Sequence, residues 1–333
     1  MSDKFLEIKN VSKIYRIGGL LGQTKIAAVD NVNLALERGK PQVLSIVGES
    51  GSGKTTLARM LLHLIQPTHG EILIDGMQTG GQLNGAQLKA FRRRAQPIFQ
   101  NPFESFSSRK TVDTYLFETA RNILGAQTQA AANRAVDEAL VNVGLSAERV
   151  VGRYPNQFSG GELQRISVAR AMIPRPELIV ADEPVSMIDA SMRMNVVNLF
   201  KKLRDDFKVT ILYITHDLST AYYVSDQIAI MYRGSIVESG PSAKVLKTPS
   251  HPYTELLLDS VAKIGEKWNE VVRLPDLETK EYGYKGCKFA GRCPYAREVC
   301  RQARPPIVTL DEQSQVHCFK PVDYQHPAPV SGS

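Results

Sequence analysis

The residues best suited to chemistry stand in one short stretch, Gly48-Glu49-Ser50-Gly51-Ser52-Gly53-Lys54-Thr55. It reads G-x-x-x-x-G-K-[ST], a spacing in which glycines let successive backbone N–H groups curl around phosphate oxygens. An apolar run over 43–47 precedes it, and a helix expected over 56–65, opening at Thr56, would add its dipole to the cradle. Lys54 would reach the outer phosphates of a nucleoside triphosphate, and the Thr55 hydroxyl would ligate Mg²⁺. The bland alternative is a glycine-rich turn with an exposed lysine, which requires neither the strand nor the helix. Further along, the apolar run 178–181 ends in Asp182-Glu183. Asp182 can join a magnesium shell, and Glu183 can polarise an attacking water. Alone, such a pair reads as structural; together with the phosphate loop it reads as a hydrolytic site.

The elements that must position these groups are legible as periodicity. Three short apolar runs, 43–47, 178–181 and 209–215, lack alternation, as strands covered on both faces do. Phe5, Leu6, Ile8, Val11 and Ile14 alternate like one or two half-buried strands, and 29–36 is another strand. Met192, Val196, Leu199, Phe200 and Leu203 form one apolar stripe on a helix. Strand then helix, repeated, predicts an α/β domain with a parallel sheet, its ligand bound at the carboxyl ends of the strands. Between 86 and 176 the character changes to helices over 87–94, 112–122 and 130–143, a mostly helical insertion. The arginines at 92–94 read as a solvated helix face.

With 333 residues, 43% of them hydrophobic and 23% charged, the chain is an ordinary globular protein with room for one large domain and a smaller one. A net charge of +7 suits phosphate ligands without selecting a partner. No apolar run reaches the length of a membrane span, and the first residues lack a secretory pattern, so the expectation is neither membrane-spanning nor secreted. Basic stretches interleaved with aromatics are missing, which speaks against nucleic acid.

Phe158-Ser159-Gly160-Gly161-Glu162 resembles the signature motif of ATP-binding cassette (ABC) ATPases, in the expected order before Asp182-Glu183. Other positions match in sequence: Tyr15 where an aromatic stacks on adenine, Gln100 as the lid glutamine, Ser186 to Asp189 as the loop crossing to a partner subunit, and His216 as the switch histidine. The resemblance implies a P-loop ABC core with an antiparallel β N-terminal subdomain and a helical subdomain. It also implies head-to-tail pairing, in which Ser159, Gly160, Gly161 and Glu162 face the ATP held by the partner's phosphate loop. Mg²⁺ would be held by Thr55, Gln100 and Asp182; Glu183, His216 and Gln100 would serve hydrolysis. The fifth signature position is commonly glutamine. Here Glu162 either weakens ATP electrostatically or, as favoured here, turns away and supports its own helix start.

Beyond 240 the composition turns proline-rich and holds all four cysteines, Cys287, Cys293, Cys300 and Cys318. With His251-Pro252-Tyr253-Thr254, this segment resembles the C-terminal extension of oligopeptide/dipeptide importer ATPases. The expected organisation is an ABC ATPase domain over 1–240, this extension over 241–325 and a disordered tail over 326–333. The spacing C-x₅-C-x₆-C-x₁₇-C lacks the tight pairs of zinc ribbons. A [4Fe–4S] cluster on the four thiols is the favoured reading, since members of the resembling family carry such clusters; zinc and free thiols stay open, and His317 could substitute as a ligand but reads rather as a solvent-exposed histidine.

The resemblance implies an ATPase on the cytoplasmic face of the cell membrane, peripheral to it. Its partners would be two transmembrane permease subunits, a second and different ABC ATPase, and an extracytoplasmic solute-binding protein. The cargo would be oligopeptides or dipeptides, with oligosaccharides the second choice because Val185-Ser186-Met187-Ile188-Asp189 departs from the common Ser-Ala-Leu-Asp form. The alternative from another class is a soluble ABC ATPase of translation or DNA repair. Translation members usually fuse two cassettes, and repair members carry long insertions; neither feature is present.

Overall fold

The structure, a computed structural model, describes residues 3–17, 24–260 and 285–320. The tail expected over 326–333 lies outside them, as do 261–284 and 321–325 of the expected extension.

The chain opens with β1 (Lys4–Ile17) and β2 (Thr24–Glu37), then β3 (Val43–Val47), α1 (Lys54–Leu61), β4 (His69–Ile74) and β5 (Met77–Gln78). Next come α2 (Gly85–Arg94), β6 (Ala95–Ile98), α3 (Val112–Thr119), α4 (Gln129–Asn142), α5 (Ala147–Val150), α6 (Gly160–Met172) and β7 (Leu178–Asp182). The series continues through α7 (Ala190–Phe207), β8 (Thr210–Thr215), α8 (Leu218–Val224), β9 (Gln227–Tyr232), β10 (Ser235–Pro241), α9 (Ser242–Lys247) and α10 (Pro252–Asp259). It closes with α11 (Glu298–Gln302), β11 (Ile307–Thr309) and β12 (Gln315–His317).

Two sheets result. One is antiparallel, in the order β2-β1-β4-β5. The other runs β11-β12-β10-β9-β3-β8-β7-β6, parallel from β9 to β6 and antiparallel beyond β9. The three apolar runs are its central strands, and every residue of β3 and β8 is buried. Alternate side chains feed different cores, which is why the runs carry no polar phase. Val43, Ile179, Ala181, Ile211 and Tyr213 pack with α3, α4, α6 and α7. Leu44, Ile46, Leu178, Val180, Leu212 and Ile214 pack with α1 and the antiparallel sheet. Each fully buried aliphatic side chain contributes on the order of 1.5–3 kcal/mol, so the central strands carry much of the fold's apolar stabilisation.

Helix starts follow local capping. Asn84 and Gln87 form a reciprocal box at α2, and Thr128 Oγ1 accepts from Ala131 N at α4. The segment expected to be mostly helical from 86 also contains β6, an edge strand parallel to β7. Its Ala-Gln-Pro-Ile sequence hid it: it is short and carries a proline, which an edge strand tolerates. Of the arginines at 92–94, the first two are exposed, whereas Arg94 bridges Asp75 and Glu177.

The cysteine-bearing extension is built into this architecture. β12 pairs with β10, so the extension lengthens the main sheet. A third core joins Val47, Ile230 and Tyr232 to Tyr253 and Phe289. Among the described residues no helix is long and apolar enough to cross a membrane.

Candidate functional site

Parallel register brings the strand ends together. Val47 of β3 lies beside Thr215 of β8, Asp182 of β7 beside Ile214, and Ile98 of β6 beside Ala181. The loops that follow therefore open side by side, and they carry the phosphate-loop residues, Gln100, Glu183 and His216.

The loop's glycines are sterically required. A Cβ on Gly48 would lie 2.1 Å from Met231 O, and one on Gly53 2.1 Å from Ala28 O; Gly53 also has φ 104°. Helix α1 begins at Lys54, two residues earlier than expected, because Gly53 itself serves as its N-cap. Lys54 is buried, and its Nζ donates to Gly48 O at 2.7 Å and Glu49 O at 2.9 Å. Burial holds its pKa below the ordinary lysine value, against the pull of Glu183, Asp182 and Glu49.

Thr55 Oγ1 donates to Asp182 Oδ1 at 3.4 Å. Burial raises the pKa of Asp182, partly offset by that bond and by Lys54. Glu183 stands at the centre of the group. Gln100 Nε2 donates to its Oε2 at 3.0 Å, and His216 Nδ1 lies 3.1 Å from its Oε1. Its φ of 48° is unusual for a residue with a side chain, and its N–H is tied to Ile214 O at 2.8 Å. Backbone held in such a region stores on the order of 1–3 kcal/mol, a cost often found at working sites. Lys54, Thr55, Gln100, Asp182, Glu183 and His216 thus converge. They form a set that could hold a magnesium–phosphate group and orient a water beside it.

The other expected residues lie apart from this group. Ser159 caps α6, accepting from Glu162 N at 3.3 Å. Glu162 turns back on the helix start: its Oε2 accepts from Ser159 N at 3.0 Å and Ser159 Oγ at 2.9 Å, and Arg149 pairs with Oε1. The bond from the Ser159 backbone and the Arg149 pair lower its pKa despite opposing burial. Gly160 and Gly161 pack on Met187, Ile188 and Met192, next to Asp189, the N-cap of α7. Tyr15 is exposed on β1 beneath the Lys13 ammonium, 5.5 Å from its ring centre.

The four cysteines line one cavity of about 270 Å³ together with His251, Phe289, Tyr295, Arg297 and Lys320. Cys287 N–H donates to Cys300 O at 2.7 Å, which ties the first thiol loop to the third. Arg297 N lies 3.4 Å from Cys300 Sγ, and Lys320 N 3.3 Å from Cys318 Sγ. Burial pushes the Cys287 thiol up to about 11 and raises Cys293 and Cys318 as well. Among the described residues, no group of three or more His, Cys, Asp or Glu side chains is placed to hold a metal ion.

Sequence reasoning missed the partners that come from far along the chain. Arg292 forms a two-pronged ion pair with Glu49, 243 residues away, and Tyr253 Oη accepts from Glu49 N. No periodicity or spacing signals a contact of that range.

Comparison with known proteins agrees with this geometry. Residues 29–186 match the family model described as ABC transporter, and residues 237–300 match the one described as oligopeptide/dipeptide transporter, C-terminal region. The chain is 39% identical over 323 residues to the oligopeptide transport ATP-binding protein AppF of Bacillus subtilis, covering 95% of this chain and 97% of that one. It is 37% identical to the di/tripeptide transport ATP-binding protein DppF of Pseudomonas aeruginosa, covering 94% and 96%. Among solved structures it resembles the dimeric ATP-binding cassette MJ0796 in a post-hydrolysis state bound to ADP and Pi. That likeness has a TM-score of 0.62 at 29% identity and covers 71% of this chain and 98% of the other. With the phosphate loop, the acidic pair and the histidine-proline-tyrosine extension in one fold, the chain belongs to the ABC transporter ATPases, in the oligopeptide/dipeptide transporter family.

Proposed function

We propose that this ATPase powers peptide uptake through a membrane complex, and that the cluster around Glu183 is its hydrolytic centre. The observation that carries the reading is the grip on Glu183: one carboxylate oxygen faces Gln100 and the other His216, beside Lys54, Thr55 and Asp182. The N–H groups from Gly48 to Thr56 cradle the triphosphate, with Lys54 exchanging its loop carbonyls for phosphate oxygens. Tyr15 supports the adenine. Thr55, Asp182 and Gln100 would hold Mg²⁺, which when bound would neutralise phosphate charge. Glu183 orients the attacking water and accepts its proton, and His216 meets the γ-phosphate.

Ser159, Gly160 and Gly161 stand at the start of the 13-residue helix α6, which suits them to a phosphate presented by a second ATPase. Glu162, paired with Arg149, adds no free negative charge there. Asp189 belongs to the loop facing that partner. The relatives' names favour oligopeptides or dipeptides over oligosaccharides as cargo. The partners are then two permease subunits, a second and different ATPase, and an extracytoplasmic binding protein, with this chain on the cytoplasmic face. The organisation proposed is an ATPase domain over 1–240 and an extension over 241–325.

The cavity shared by Cys287, Cys293, Cys300 and Cys318 supports a [4Fe–4S] cluster as the favoured occupant, with zinc and free thiols as the alternatives. When bound, a [4Fe–4S] cluster would cross-link the loops of the extension. The two N–H groups near Cys300 and Cys318 suit thiolates, and the raised thiol pKa values mean that binding would release protons.

A gentle-detergent pull-down from native membranes tests the transport reading. Recovery of two permeases and a second ATPase is expected. Recovery of ribosomes or repair proteins alone would leave the ATPase chemistry and remove transport.

A further inference from the structure

The extension touches the phosphate loop at Glu49, through Arg292 and Tyr253, and the short stretch between Cys287 and Cys293 supplies Arg292 together with a second nearby cation, Lys288. Arg292 Nη1 and Nη2 each lie 3.0 Å from a different oxygen of Glu49. Its side chain is 7% exposed, lies near the rings of Tyr232 and Phe289, and reaches Tyr232 Oη at 3.4 Å. Glu49 is held through its backbone too, since its N–H donates to Tyr253 Oη at 3.0 Å. Glu49 O in turn receives the Lys54 ammonium, so its orientation bears on the residue that meets the outer phosphates.

Lys288 acts one step removed: its Nζ donates to Arg233 O at 2.7 Å and pairs with Asp30 at 2.8 Å. The next residue along, Gly234, donates its N–H to Ser52 O at 2.7 Å. One cysteine-bearing turn therefore holds the loop directly at Glu49 through Arg292 and, by way of the Arg233–Gly234 peptide, indirectly at Ser52 through Lys288.

Electrostatics give the brace a purpose. Glu49 places a carboxylate in a loop built for a polyanion, and a two-pronged guanidinium is the strongest way to neutralise and fix it. Without Arg292 the carboxylate would repel incoming phosphate and be free to turn. We propose that the turn between Cys287 and Cys293 is a strut for the phosphate loop, with Arg292 as the positioning residue that fixes and neutralises Glu49. Nucleotide binding and the conformation of the cysteine module are then linked, and linkage acts in both directions. The inference rests on the proposed reading of the phosphate loop as the ATP site.

The test is a double-mutant cycle on the full chain, reading ATP affinity. Arg292→Gln should weaken binding roughly ten- to hundredfold, because it leaves an uncompensated charge beside the phosphates. Adding Glu49→Gln to Arg292→Gln should restore at least several-fold of that loss, which simple loss of packing would not do. Arg292→Lys, which keeps the charge and the fold but loses the fork, should fall between. Hydrogen exchange over 285–300 should slow when ATP binds to the wild type and remain unchanged by ATP in Arg292→Gln. Wild-type affinity in Arg292→Gln, a double variant no better than the single, or exchange over 285–300 indifferent to ATP would each overturn the strut. Lys54→Ala separates the two readings. If it binds ATP like the wild type, the phosphate-loop assignment falls and the strut falls with it. If it loses binding while Arg292→Gln does not, only the strut falls.

Discussion

Lowering the pH from 7.5 to 5.0 should destabilise this protein through His251. That residue is 1% exposed and caps α10, its Nδ1 accepting the Tyr253 N–H at 3.0 Å. A proton at Nδ1 would point at another N–H, so the ring must stay neutral, with its proton on Nε2. Burial lowers the folded pKa from 6.5 to about 3, with His317 and Lys320 adding repulsion. The groups around it include Glu238, whose carboxylate accepts the backbone N–H of His251 and whose own pKa burial raises.

The sign follows from a depressed folded value. The contribution is fully present above the unfolded pKa near 6.5 and is lost as pH falls toward the folded one. Each unit below 6.5 costs about 1.4 kcal/mol, so pH 5.0 removes roughly 2 kcal/mol through this one group. Glu238 titrates in the opposite sense, which is why a variant must isolate His251. His251→Asn retains an acceptor for the cap but cannot charge. Urea titrations of both proteins at the two pH values provide the assay. The wild type should lose about 2 kcal/mol more than His251→Asn between pH 7.5 and 5.0. Equal losses would refute the claim that a neutral, buried histidine pins the extension to the core.

Other outcomes follow from the same geometry. Gln100→Ala, which releases one oxygen of Glu183, should lower turnover at least tenfold while leaving ATP affinity within a few-fold; a variant with normal turnover would remove Gln100 from the centre. Ser159→Ala deletes the cap of α6 and should cost about 1 kcal/mol of stability, as well as turnover in the assembled pair, so an unchanged urea midpoint would contradict the capping geometry. Protein purified without oxygen should be brown, with about four irons per chain; colourless, iron-free material would leave the cavity to zinc or free thiols.

Much of this site is written locally in the sequence. The phosphate loop, Asp182-Glu183 and His216 are each contiguous with an apolar run, and parallel pairing of those runs suffices to gather them. Strands β4 and β10 are not read from the sequence because a glycine near the start of one and a glycine–proline pair at the end of the other leave only four or five patterned residues, and β6 is not because it is a four-residue edge strand with a proline. The extension read as an appendage because composition alone cannot reveal that β12 joins β10 or that Tyr253 and Phe289 share a core with Val47. Arg149 and Arg292 were invisible for a related reason. Each neutralises a glutamate, Glu162 and Glu49, whose negative charge looks misplaced until its tertiary partner is seen.

The most direct test of the central claim is ATP turnover by the complex reconstituted with its permeases and binding protein, comparing wild type with Glu183→Gln. Turnover should rise when the binding protein carries peptide and should nearly vanish in Glu183→Gln while ATP binding persists. Peptide-independent turnover, or a Glu183→Gln complex hydrolysing at the wild-type rate, would contradict it.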